Sequence, residues 1–166
     1  MGEIAVSTGG EELMALGLGS CIGLALVDRQ TGVAGLAHIV LPESREPGND
    51  PGKFANLAVP ELLARMRRAG ATESRLEAYL TGGAKMFELG SELDIGARNE
   101  AAVRSALKHA RISVTAAATG GNRGRTVKIT PGDCTVTVRE AGGATISLSG
   151  GTDIRVTRPN LAGSRA

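Results

Sequence analysis

The chain has 166 residues, 42% of them hydrophobic, and its 19 Lys+Arg against 17 Asp+Glu leave a formal charge of +2. That length suits one domain with a core of its own, and the charge is too small to mark a nucleic-acid or anionic-membrane surface. Glycine is the outlier at 24 residues, about twice its usual share, while the aromatics shrink to Phe54, Tyr79 and Phe87. The core must therefore come from Leu, Ile, Val and Ala with close backbone approaches, and so many glycines imply turns rather than a long helical bundle.

Glu3–Ser7 reads as a first strand. The longest uncharged stretch follows, 15 residues from Leu13 to Val27. It is shorter than the about 20 residues a spanning helix needs and is interrupted by Gly17, Gly19, Ser20 and Gly23. Glu3, Glu11 and Glu12 occupy the place where a signal peptide carries basic residues, so a cytoplasmic protein without membrane insertion is expected. Ile22–Asp28 and Val33–Ile39 read as strands, and Pro42–Lys53 as a polar loop. Phe54, Ala58, Leu62 and Met66 recur at i+4 and predict a helix over 54–69, with Pro60 in its first turn or at a kink.

Glu77–Thr81 reads as the next strand. A second helix is predicted from Glu100 to His109, capped by Asn99, with Lys108 and His109 at its negative end. Strands are then expected at Ile112–Ala118, Arg125–Ile129, Cys134–Arg139, Ala144–Leu148 and Asp153–Thr157. The Cys134–Arg139 alternation puts Cys134, Val136 and Val138 on one face. Helices among strands give an α+β or mixed α/β class. One domain over residues 1–159 is expected, with 160–166 as a flexible tail.

The candidate chemistry lies in the first third. Cys21 and Cys134 have no C-x-x-C and read as two free thiols. Cys21 has two readings, a small hydrophobe beside a strand or a nucleophile, and His38 between Ala37 and Ile39 is likewise a core histidine or a base. A four-residue connection pairs Asp28 with Val33 and Gly23 with His38. Cys21 and His38 then lie on one face as diagonal neighbours, roughly 7–8 Å apart at Cα. A one-residue slip would separate them. Gly17 and Gly19 either tighten the entry into the strand or expose amides near the sulfur, including that of Ser20, as an oxyanion hole.

Other patterns are weaker. Gly17-x-Gly19-x-x-Ile22 lacks the third glycine of a dinucleotide fingerprint. Cys21, His38, His109 and Cys134 have no metal-ligand spacing. Gly120-Gly-Asn-Arg-Gly-Arg125 reads as a loop entering a strand rather than a nucleic-acid nest, since few aromatics are available to stack bases.

Leu16-Gly-Leu-Gly-Ser-Cys-Ile-Gly23 followed by Ala37-His-Ile-Val-Leu-Pro42 resembles the chemoreceptor glutamine deamidase family, CheD. Gly82-Gly-Ala-Lys-Met-Phe87, Ile95-Gly-Ala-Arg-Asn99 and Gly120–Arg125 resemble its later blocks in the same order, over roughly residues 3–140. The resemblance implies an α+β fold of packed mixed β-sheets flanked by helices, related to the deamidase domain of cytotoxic necrotizing toxins. It implies hydrolysis of glutamine side chains on methyl-accepting chemotaxis receptors, with Cys21 as nucleophile, His38 as general base and acid, and no cofactor or metal. The family has a threonine six positions before the cysteine, where this chain has Ala15. That departure motivates a competing expectation, a catalytically weak module that docks on receptors or on the CheC phosphatase. A cysteine amidohydrolase or transglutaminase with another substrate is a third.

Overall fold

The computed structural model describes residues 1–46, 50–86 and 94–150. The strand expected at Asp153–Thr157, the tail at 160–166 and Phe87 lie outside the described residues. Nine strands and two α-helices are described: β1 (Ile4–Ser7), β2 (Leu13–Leu18), β3 (Ile22–Asp28), β4 (Val33–Ile39), α1 (Ala55–Arg68), β5 (Glu77–Gly82), α2 (Ile95–His109), β6 (Val114–Thr119), β7 (Arg125–Thr130), β8 (Thr135–Glu140) and β9 (Thr145–Ser147).

They form three layers of an α+β fold. A five-stranded sheet of order β1-β4-β3-β5-β6 lies in the middle. It is mixed, because β5 and β6 run parallel while its other neighbours are antiparallel. Helices α1 and α2 cover one face through Leu24, Leu26, Leu62, Met66, Val103 and Leu107. The second sheet, β2-β7-β8-β9, is antiparallel throughout and covers the other face through Ala25, Val27, Val127, Ile129 and Val136. β3 and β4 are thus covered on both sides, so their sequences read as apolar runs without a polar face.

Four sequence expectations are corrected. β2 was not anticipated, because Met14 and Leu16 are exposed while Leu13 and Ala15 are buried, so both faces are apolar and the period of two is hidden. α2 begins at Ile95 rather than Glu100. Its cap is Asp94, whose side chain accepts from the Ala97 amide at 3.0 Å, and Asn99 is instead a buried interior residue. Pro60 sits in the second turn of α1 with its ring exposed, where its missing N–H leaves one i→i−4 bond unmade. Cys134 precedes β8 in a turn with φ of 53°, although its side chain still enters the intersheet core with Val136 and Val138. The segment Gly120–Arg125 does lead into a strand. The buried Arg125 guanidinium opens β7 and donates to Gly120 O at 2.6 Å and to Glu140 at 2.9 Å.

Among the described residues, no helix is long and apolar enough to cross a membrane.

Candidate active site

The β3–β4 register is the one the hairpin spacing predicts, from Asp28↔Val33 through Gly23↔His38 to Ile22↔Ile39. Gly23 faces the second sheet, where Leu18 and Val127 would meet any added Cβ. Its partner His38 shares that face. Cys21, just before β3, packs against the same intersheet cluster. The two candidate residues therefore share a face at the open end of the hairpin, both half-buried, and His38 Nε2 makes no hydrogen bond to the Cys21 sulfur.

A cleft of about 460 Å³ is lined by Met14, Ala15, Leu16, Leu36 and His38, while Cys21 is not part of its lining. Ala15 is only 5% exposed and lines the same cleft as His38. No hydrogen bond joins the His38 ring to residue 15, and His38 Nε2 is buried without a partner among the described residues. A second groove of about 580 Å³ between α1 and α2, lined by Val59, Leu63, Ala106 and His109, contains neither Cys21 nor His38. His109 closes the last turn of α2, its Nδ1 2.8 Å from Ser105 O.

Burial dominates the electrostatics. It pushes the Cys21 thiol above its ordinary value, with the N-terminal ammonium and the residue's own amide pulling more weakly the other way. It holds the His38 imidazole below its ordinary value. The N-terminal ammonium adds to that effect and Glu3 opposes it. The free site therefore rests as a thiol and a neutral imidazole at neutral pH.

The segment before the sulfur is fixed from behind. Gly19 O accepts from Ala84 N–H and Cys21 O from Gly83 N–H, both at 2.8 Å. Ser20 O accepts from Asn99 Nδ2 at 2.9 Å. The close approach needs Gly82, which has φ of 107° and would drive a Cβ to 2.2 Å from Cys21 O. Meanwhile the Ser20 and Cys21 amides donate to no backbone carbonyl among the described residues. Gly17 has φ of 64° and sits where the β2 register shifts between Ala15 and Leu18. Gly19 is not in the left-handed region, and its missing Cβ leaves room for Met86.

Sequence reasoning missed two polar residues here. Thr81 pairs with Gly23 on the side of β3 opposite His38, is fully buried, and has an unpartnered hydroxyl. Asn99 reaches the site from α2. A threonine inside an apolar strand and an asparagine four residues into a helix both go against local preference, and that conflict was the available signal.

The family model described as CheD chemotactic sensory transduction matches residues 40–140. The chain belongs to the CheD family. It is 41% identical over 145 residues to the probable chemoreceptor glutamine deamidase CheD of Clostridium novyi, covering 84% of this chain and 90% of that protein. It is 41% identical over 143 residues to the chemoreceptor glutamine deamidase CheD of Thermotoga maritima, covering 86% and 90%. A Methanococcus vannielii relative, also named as a probable CheD deamidase, is 42% identical over 142 residues, covering 84% and 92%. The family-model match includes Asn99 and begins just after His38.

Proposed function

We propose that this CheD-family chain hydrolyses glutamine side-chain amides on the cytoplasmic helices of chemotaxis receptors, giving glutamates, and works in the cytoplasm. The observation that carries the reading is the shared face of Cys21 and His38 at the open end of the β3–β4 hairpin. It is supported by the names of the relatives, which describe chemoreceptor glutamine deamidases. Exposed Met14, Leu16 and Met86 surround the site. Adaptable apolar side chains of that kind suit the contact face of a protein substrate.

The resting protonation states define the first step. Neutral His38 takes the Cys21 proton as sulfur attacks the amide carbon, which avoids a preformed thiolate that burial would disfavour. The Ser20 and Cys21 amides hold the oxyanion. The tetrahedral species collapses, and the proton on His38 leaves with nitrogen as ammonia, giving a thioester on Cys21. His38 then draws a proton from water as the water oxygen attacks the acyl carbon. The C–S bond breaks, the proton returns to sulfur, and the product is a carboxylic acid that ionises. The sum is one water consumed and one ammonia released per glutamine.

Incubation with receptor cytoplasmic fragments, followed by peptide mass spectrometry and ammonia assay, tests this. Amide-to-acid conversion matched by ammonia release is the expected result. Amine incorporation in place of ammonia release indicates a transglutaminase. Tight binding to receptor or to CheC without conversion favours the docking module, the reading that Ala15 motivates.

A further inference from the structure

Asn99 is wholly buried in the second turn of α2. Its Nδ2 uses both hydrogens, donating to Ser20 O and to Val40 O, each at 2.9 Å. Ser20 immediately precedes Cys21, and Val40 is two residues after His38. The β3–β4 ladder ends at the Ile22↔Ile39 pair, so Cys21 lies one residue beyond regular pairing, while His38 is one residue inside it and its strand leaves the ladder at Val40. The Val40 amide turns away to Lys53 O at 3.0 Å. One side-chain amide from the helical layer therefore bridges the open end of the hairpin where the ladder stops.

The approach of α2 is built for this reach. Gly96, three residues earlier, lies so close to the Gly83 backbone that an added Cβ would sit 2.5 Å from Gly83 O. The chemistry of the bridge is also narrow. Two carbonyl oxygens need two N–H donors from one small neutral group, and a primary amide provides them in a fork. An aspartate at the same place would set a carboxylate against two carbonyls. A leucine would fill the volume and leave both carbonyls unpaired.

We infer that Asn99 is a positioning residue of this site, setting the separation and relative orientation of Cys21 and His38 by clamping the two chain segments that carry them. The inference rests on the proposed roles of Cys21 and His38. Asn99 touches neither reacting group and acts through the backbone. Its contribution is to geometry, so its loss must appear in turnover and in the environment of the thiol rather than in substrate affinity.

The test compares Asn99→Ala and Asn99→Ser with Val103→Ala, a fully buried position one turn along the same helix with no bond to either segment. Three quantities are measured on the full chain: melting temperature, kcat and KM on receptor fragments, and the pH profile of Cys21 alkylation by iodoacetamide, read by peptide mass spectrometry. Asn99→Ala is expected to lower kcat by about 30-fold or more with KM within about threefold, since small misplacements of reacting groups cost up to about 10²-fold. It should also shift the alkylation midpoint by about half a pH unit or more. Asn99→Ser retains one donor and should fall between Asn99→Ala and the native protein, and it provides the measurement if Asn99→Ala does not fold. Val103→Ala should lower the melting temperature while leaving kcat and the alkylation profile unchanged. Folded Asn99 variants with native kcat and alkylation profile overturn the inference, as do equal kinetic effects from Val103→Ala. If the native protein deamidates nothing, the proposed function fails, and the alkylation profiles alone then decide for or against the clamp.

Discussion

The two ends of the β3–β4 hairpin treat buried polar groups in opposite ways. At the turn end, Asp28 is completely buried and every acceptor is used. Oδ1 accepts from Gln30 N–H and Arg75 Nε, both at 3.1 Å, and Oδ2 from Thr72 N–H at 2.9 Å and Arg75 Nη2 at 2.8 Å. The Arg75 bonds outweigh burial and hold the carboxyl well below the usual carboxylate range. At the open end, burial outweighs the groups that oppose it. The Cys21 thiol is pushed up, the His38 imidazole down, and the His38 Nε2 and Thr81 Oγ1 atoms have no partner. A saturated buried polar group is an anchor. An unsaturated one, such as His38 on β4 or Thr81 on the neighbouring β5, costs stability that packing alone does not require, and that contrast marks a candidate site against a structural corner.

Substitution at each end separates these roles. Cys21→Ala and His38→Ala should each lower deamidation of receptor fragments by about 10³-fold or more, because each removes the proposed nucleophile or its proposed base. Their melting temperatures should stay close to the native value, since both side chains are only half-buried and His38 Nε2 makes no bond that the fold would lose. Cys134→Ala should keep turnover within a few-fold, because Cys134 lies in the intersheet core among Val136 and Val138. Activity lost at Cys134 and retained at Cys21 would move the site to the other sheet.

Asp28→Ala should do the reverse. Removing the buried partner leaves the Arg75 guanidinium and the Thr72 and Gln30 amides without their acceptor, at a cost of about 3 kcal/mol in unfolding free energy. Turnover per folded molecule should remain native. The effect has a defined pH dependence. The Asp28 carboxyl is depressed in the folded protein, so its stabilisation is fully present above the unfolded value of about 3.9 and is lost as pH falls through the folded value below that. The stability gap between native and Asp28→Ala, measured by denaturant titration, should therefore be constant from neutral pH to about pH 4.5 and shrink beneath it. A gap that is absent at neutral pH would show that the turn end is no anchor.

The same contrast explains what was legible from the chain. The hairpin was readable because its turn length and its alternation both select one register, and that register alone brings Cys21 and His38 to one face. The breaks between the later strands were readable at Pro131-Gly132 and Gly142-Gly143. β2 was not readable, since exposed Met14 and Leu16 erase the polar face of a surface strand. Asn99 was misread because a polar residue before a helical pattern is the usual sign of a cap, whereas here Asp94 caps the helix and tertiary contacts determine residue 99. Local rules locate anchors and turns. They do not register a side chain whose partners are 79 and 59 residues away.

The smallest predicted effect concerns Ala15, on the cleft wall beside His38. A threonine there would add a hydroxyl and a methyl to a position only 5% exposed, where the hydroxyl can hydrogen-bond the imidazole or remain unpaired. A single neutral hydrogen bond is worth about 0.5–1.5 kcal/mol, or roughly tenfold in rate at most. The fixed backbone of residues 19–21 and the Asn99 bridge already hold both reacting segments. Ala15→Thr should therefore change kcat by no more than about tenfold in either direction, with KM unchanged. Parallel pH–rate profiles of the two proteins check the cause, because a hydroxyl that engages His38 moves the acid limb while mere crowding does not. If the native chain is inactive and Ala15→Thr restores turnover by orders of magnitude, the open end of the hairpin lacks an essential side chain, and the docking module becomes the better account of this protein.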